Sequence, residues 1–157
     1  MKTMPTSTAG PSEAPTDGVT QEAGAQFLVS APDAERLLLQ SGFVRNQLEA
    51  EILSELEVRI RGAHLLDPSA VPVDLVTMNS KILLRDVVSG RQVIFTLVFP
   101  SHANARKGMI SILTPLGSML LGARTGQQIT CPISGAVLTV LVEAILYQPE
   151  AAGDYYG

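Results

Sequence analysis

The hydrophobic period of this chain changes from helical to strand-like near residue 70, and that change decides what it can fold into. Before it, Leu48, Ile52, Leu56 and Ile60 recur four apart, with Leu53 widening the face. After it come short blocks rich in β-branched and apolar residues, such as QVIFTLVF at 92–99. Between them, LDPSAVPVD at 66–74 carries two prolines and reads as a connection. Helices followed by strands, rather than alternating with them, specify an α+β architecture.

Local signals place the elements. Ser30 with Asp33 forms an N-terminal capping pattern, with Pro32 tolerated in the first turn, and Ala34, Leu37 and Leu38 give a short stripe that Gly42 should end. Asn46 with Glu49 starts a second helix over 47–61, about 22 Å long at 1.5 Å per residue. Its acids, Glu49, Glu51, Glu55 and Glu57, precede Arg59 and Arg61, the order the helix dipole favours. Two striped helices joined by a short turn predict an antiparallel hairpin over 30–64, followed by a linker over 65–74.

Strands are expected at 76–78, 81–85, 92–99, 109–113, 129–132 and 137–147, with turns at Ser89-Gly90 and Ser134-Gly135 and a loop at 104–108. Thr114-Pro115 should cap a short helix that stops at Gly122. The expectation is a sheet of four to six antiparallel strands over 75–149 with one short helix on a face. Residues 1–29, dominated up to residue 26 by Thr, Ser, Pro, Gly, Ala and Glu, read as a disordered tail, and 150–157 as a C-terminal tail.

Charge and composition narrow the function classes. The net charge of −4 over 157 residues argues against a protein that grips DNA through excess Lys and Arg. Residues 72–149 nonetheless carry six bases against three acids, and 30–62 carry six acids against four bases. This polarity could orient the protein on a charged partner or simply solvate its surface. The single cysteine, Cys131, allows no internal disulfide and reads as a packed thiol in an apolar context. No signal peptide is evident, and the longest apolar stretch, interrupted by Glu143, falls short of the roughly 20 residues a bilayer span needs. A soluble, cytoplasmic monomer is expected.

Chemistry-bearing constellations are sparse. His64 and His102 stand apart without metal-ligand spacing, and Ser80, Ser101, Ser111 and Ser118 lack a nucleophile-elbow context. No catalytic, cofactor or metal site is expected. Phe43 stands out because it lies at the turn between the helices, flanked by Val44 and Arg45. Its own two helices cannot easily bury it, so it either folds back over Leu39 and Leu48 or waits for a partner.

Several segments carry a resemblance: VTMNS at 76–80, TLVFP at 96–100, TPLGSMLLG at 114–122, Gly126, and above all YQPEAAGDYY at 147–156. Together they resemble the Rnk branch of the GreA/GreB transcription-factor family over about residues 30–156. The resemblance implies a helical hairpin followed by an FKBP-like domain, and bacterial RNA polymerase as the partner. The globular part would dock at the rim of the secondary channel with the hairpin pointing inward. Thr114 and Pro115 stand where the family has a Ser-Pro in the docking surface, and Phe43, Val44 and Arg45 form the tip.

GreA and GreB carry two acids at the tip that help hold a catalytic Mg²⁺, a hard ion that seeks oxygen ligands. Residues 37–48 contain no acid here, Arg45 would repel a cation, and the hairpin is shorter. The resemblance therefore implies a non-enzymatic regulator that binds polymerase without stimulating transcript cleavage and could compete with GreA and GreB. The branch's label suggests an alternative, control of nucleoside diphosphate kinase at the level of its expression. An FKBP-like prolyl isomerase is a third reading, opposed by the absence of Trp.

Overall fold

A computed structural model describes residues 26–154. The expected disordered tail lies, up to residue 25, outside the described residues, as do Tyr155 and Tyr156.

Strand β1 (Leu28–Ser30) runs into helix α1 (Ala31–Leu37), where the Ser30 Oγ accepts the Asp33 N–H at 3.2 Å. α1 ends at Leu37, before Gly42. The Gln40 side chain donates to the Arg36 carbonyl at 2.8 Å, the acceptor that a continued helix would offer to the Gln40 backbone N–H. A 3₁₀ turn, Gln40–Phe43, follows. Helix α2 (Gln47–Arg61) begins where the capping signal predicts it, with Asn46 Oδ1 accepting the Glu49 N–H at 2.9 Å. It buries Ile52, Leu53, Leu56 and Ile60, whereas Leu48 at the head of the stripe remains 53% exposed.

The connection after α2 is more structured than its prolines suggest. Strand β2 (His64–Leu66) pairs in parallel with β1, Leu28 opposite His64, which ties the two ends of the helical segment together. Residues 76–78 do not join the sheet as a strand. They form a buried irregular run in which the Met78 N–H is taken by the Asp33 carboxylate at 3.1 Å, so a ladder cannot use that donor.

The main sheet contains β3 (Lys81–Asp86), β4 (Gln92–Val98), β5 (Met109–Ser111), β6 (Gln128–Ile133) and β7 (Ala136–Tyr147), in the order β5-β4-β3-β7-β6. All neighbours are antiparallel except β4 and β5, which pair in parallel, Thr96 opposite Met109. The all-antiparallel expectation fails here because residues 99–108 are too long for a tight hairpin. Two 3₁₀ turns, Pro100–His102 and Ala105–Lys107, carry the chain back before β5 begins.

Helix α3 (Pro115–Leu120) packs against β5 and β6, and a further short helix, α4 (Pro149–Ala152), follows β7. Ala34 and Leu37 of α1 and Ile52, Leu53, Leu56 and Ile60 of α2 share one core with Val76, Met78, Leu97, Leu120 and Val142. Apart from Leu38 and Leu48, the apolar stripes of the helices are thus buried in the common core, at about 25 cal/mol for each Å² of apolar surface removed from water.

Candidate partner-binding surface

At the turn between the helices, the three tip residues have different surroundings. Phe43 is 46% exposed, so its ring is neither buried nor free, and Val44 packs partly against the core. Arg45 lies on the surface, paired with Glu49 at 3.1 Å. Leu39, at 71% exposed, and Leu38 and Leu48 add to the same apolar end, and the Gln40–Phe43 turn lies against the Pro100–His102 turn. Under the tip, the buried Gln40 Oε1 has no hydrogen-bond partner among the described residues.

The acid closest to the tip is already engaged. Glu49 Oε1 accepts the Arg45 backbone N–H at 2.9 Å while Oε2 takes the guanidinium, and these bonds hold the carboxyl below its usual range. The tip therefore offers an outside cation a guanidinium and apolar side chains, with no free carboxylate between residues 37 and 49.

Thr114 and Pro115 open α3. The Thr114 Oγ1 accepts the Gly117 N–H at 3.0 Å and donates to the Ser111 carbonyl at 2.8 Å, so the hydroxyl locks the helix start onto the end of β5. Both residues are half-buried. Gly117 permits this close approach, because a Cβ there would stand 2.2 Å from the Ser111 carbonyl oxygen.

The structure also joins residues that local patterns leave apart. Segment 76–80 and segment 147–154, both quoted above for their resemblance, form one polar clasp. Thr77 Oγ1 donates to Glu150 Oε1 at 2.7 Å, and the Thr77 N–H reaches Ser80 Oγ at 2.9 Å. Gln148 Nε2 donates to the Pro72 and Leu75 carbonyls, each at 2.7 Å, while its Oε1 accepts the Ala151 N–H. Asp33 joins from α1, and its carboxyl is pushed up to about 6, first by burial and further by Glu150, against the pull of the Met78 N–H. The signal that could have exposed this clasp is the co-occurrence of the two polar motifs in an otherwise apolar domain.

Neither His64 nor His102 has a metal-ligating neighbour set, since no group of three or more His, Cys, Asp or Glu able to hold a metal occurs among the described residues. Cys131 is buried, and desolvation raises its thiol. No helix among the described residues is long and apolar enough to cross a membrane.

Comparison with known proteins agrees with this architecture. Residues 71–147 match the family model described as transcription elongation factor, GreA/GreB, C-term. The chain is 36% identical over 133 residues to the regulator of nucleoside diphosphate kinase of Escherichia coli strain K12, covering 82% of this chain and 95% of that protein. It therefore belongs to the GreA/GreB transcription elongation factor family. Within that family, the regulator of nucleoside diphosphate kinase is matched almost end to end. The transcription elongation factor GreA of Aliarcobacter butzleri is matched at 31% identity over 61% of this chain and 60% of that protein. Among solved structures, a prokaryotic GreA/GreB elongation factor from Nitrosomonas europaea superposes with a TM-score of 0.66 at 33% identity, covering 78% of this chain and 98% of that one.

Proposed function

We propose that this protein is a cytoplasmic, non-enzymatic transcription regulator that binds bacterial RNA polymerase near its secondary channel and does not stimulate transcript cleavage. In this reading the sheet, taken as FKBP-like, docks at the channel rim through Thr114 and Pro115. The helical segment acts as a short hairpin that presents Phe43, Val44 and Arg45. Carrying the proposal is the tip's lack of a free carboxylate: residues 37–48 contain none, and Glu49 is held by Arg45. A tip of this kind can occupy the channel yet cannot supply oxygen ligands to Mg²⁺. Competition with GreA and GreB for the same rim follows.

The test is capture of core polymerase by the immobilised full chain, followed by transcript cleavage assays on backtracked complexes. Binding at micromolar protein in low salt without faster cleavage is expected. Absence of binding sinks the proposal, and accelerated cleavage refutes the assignment of the tip.

The name of the Escherichia coli relative favours a second reading, regulation of nucleoside diphosphate kinase. With no kinase chemistry in the chain, the effect would fall on kinase abundance. Kinase protein level and specific activity, compared with and without this gene, separate an effect on expression from one on turnover.

A further inference from the structure

Helix α3 is six residues long, too short to hold its own geometry in water, where isolated helices below about 12–15 residues are marginal. Its start is fixed by its own chain, through the Thr114 cap and the close approach at Gly117. Its end is fixed from elsewhere. Arg59, in the last turn of α2, donates from Nη1 to the Ser118 carbonyl at 2.8 Å and from Nη2 to the Leu121 carbonyl at 3.2 Å. These carbonyls lie at and just after the C-terminal turn, where acceptors lack helical donors and a cation is favoured.

The guanidinium also meets an aromatic ring. The Phe27 ring lies 4.2 Å from Arg59 Cζ, in cation–π geometry. The same ring abuts the turn leaving α3: a Cβ on Gly122 would stand 2.6 Å from it, and Gly122 has φ +84. Arg59, Phe27 and the end of α3 thus meet at one place. Burial lowers its pKa, with Glu55 acting in the opposite direction.

From this geometry we infer that Arg59 is a positioning residue for partner binding: by gripping the end of α3 it sets the orientation in which Thr114 and Pro115 meet the polymerase. The inference rests on the reading that α3 begins the docking surface. It makes the helical segment part of the docking apparatus even where that segment touches nothing. Lys cannot replace Arg fully, because a single ammonium does not reproduce the planar fork that spans two carbonyls.

The experiment combines amide hydrogen exchange with polymerase affinity in the full chain. Arg59→Met should raise exchange at residues 118–122 while leaving β3 and β7 protected, and should weaken polymerase binding about tenfold, the scale of a lost charge-assisted pair. Arg59→Lys should recover part of both effects, and it serves as the primary variant if the Met protein does not fold. Pro115→Glu, placed at a helix position that tolerates an acid, should weaken docking by itself. Added to it, Arg59→Met should cost little more, because both act through α3. Unchanged exchange at 118–122, or losses that multiply in the double variant, would overturn the inference. If the wild type fails to bind polymerase, the function reading falls and with it the role in docking, while the exchange data still decide whether Arg59 holds α3.

Discussion

The tip at residues 38–48 and the clasp joining residues 76–80 to 147–154 are built on opposite principles. At the tip, large apolar side chains face water and the buried Gln40 Oε1 has no partner among the described residues. In the clasp, polar side chains of Thr77, Ser80 and Gln148 are buried and engaged. A protein that must hold its shape satisfies polar groups inside, and one that must meet a partner keeps apolar groups outside. The most recognisable segments of this chain are therefore those that hold it together, whereas the segment proposed to act is defined by what it exposes and by the carboxylates it lacks.

Breaking the clasp should give the largest effect. Gln148, almost fully buried, satisfies two backbone carbonyls and caps α4. Gln148→Leu keeps its bulk but leaves the Leu75 carbonyl without a donor and the Pro72 carbonyl with only the Leu75 N–H, at a cost of about 3 kcal/mol with the lost cap included. Thermal unfolding should fall by roughly 10 °C or more. A shift of only a degree or two would mean that water enters the clasp and the contrast with the tip is smaller than drawn.

Asp33 sharpens the comparison through pH. It is 6% exposed, faced by Glu150 and Arg36, and its folded carboxyl titrates at about 6 against 3.8 for the free side chain. An acid with a raised folded pKa binds more protons folded than unfolded. Its contribution is therefore fully present below about 3.8 and lost as pH rises through 6, a change of about 3 kcal/mol. The lowered carboxyls of Glu49, Asp67, Asp86 and Glu143 slope the other way, so the quantity to measure is the difference between Asp33→Asn and wild type. Asn still offers an oxygen to the Met78 N–H. Denaturant titrations at pH 4 and pH 7.5 should show the variant gaining by up to that amount at the higher pH, and a constant difference would remove the buried charge from the account.

Which features were legible from the sequence follows from the range of the interactions involved. The caps at Ser30, Asn46 and Thr114 act over three residues, and each stands where the local pattern puts it. The same holds for the stripe of α2, Leu48 excepted, and for β3, β4, β6 and β7, whose β-branched and apolar composition is local to each segment. Features decided at a distance were not visible: β5 running parallel to β4, β2 pairing with β1, and 76–78 giving its Met78 donor to a residue 45 positions away. The tip residues could be singled out, because a phenylalanine at a turn violates a local rule. Arg59 could not, since the carbonyls it holds lie 59 and 62 residues further on and a basic residue at a helix end is unremarkable locally.

The smallest expected effect on stability belongs to the tip, and it is the most discriminating. Phe43 is 46% exposed and sits in a four-residue 3₁₀ turn, so Phe43→Asp gives up only part of a phenylalanine's burial and introduces a charge that water can solvate. Its cost to folding should stay within about 1.5 kcal/mol, half of what full burial of a phenylalanine contributes. If the tip enters the polymerase channel, the same change replaces an apolar contact with a carboxylate beside Arg45, and the effect of the protein on transcription should weaken far more than the fold does. Thermal unfolding and transcription on the same preparation separate the two. A large loss of stability would show that the exposed edge of the ring conceals a structural role, and the division between a tip that meets partners and a clasp that holds shape would then fail at its most informative residue.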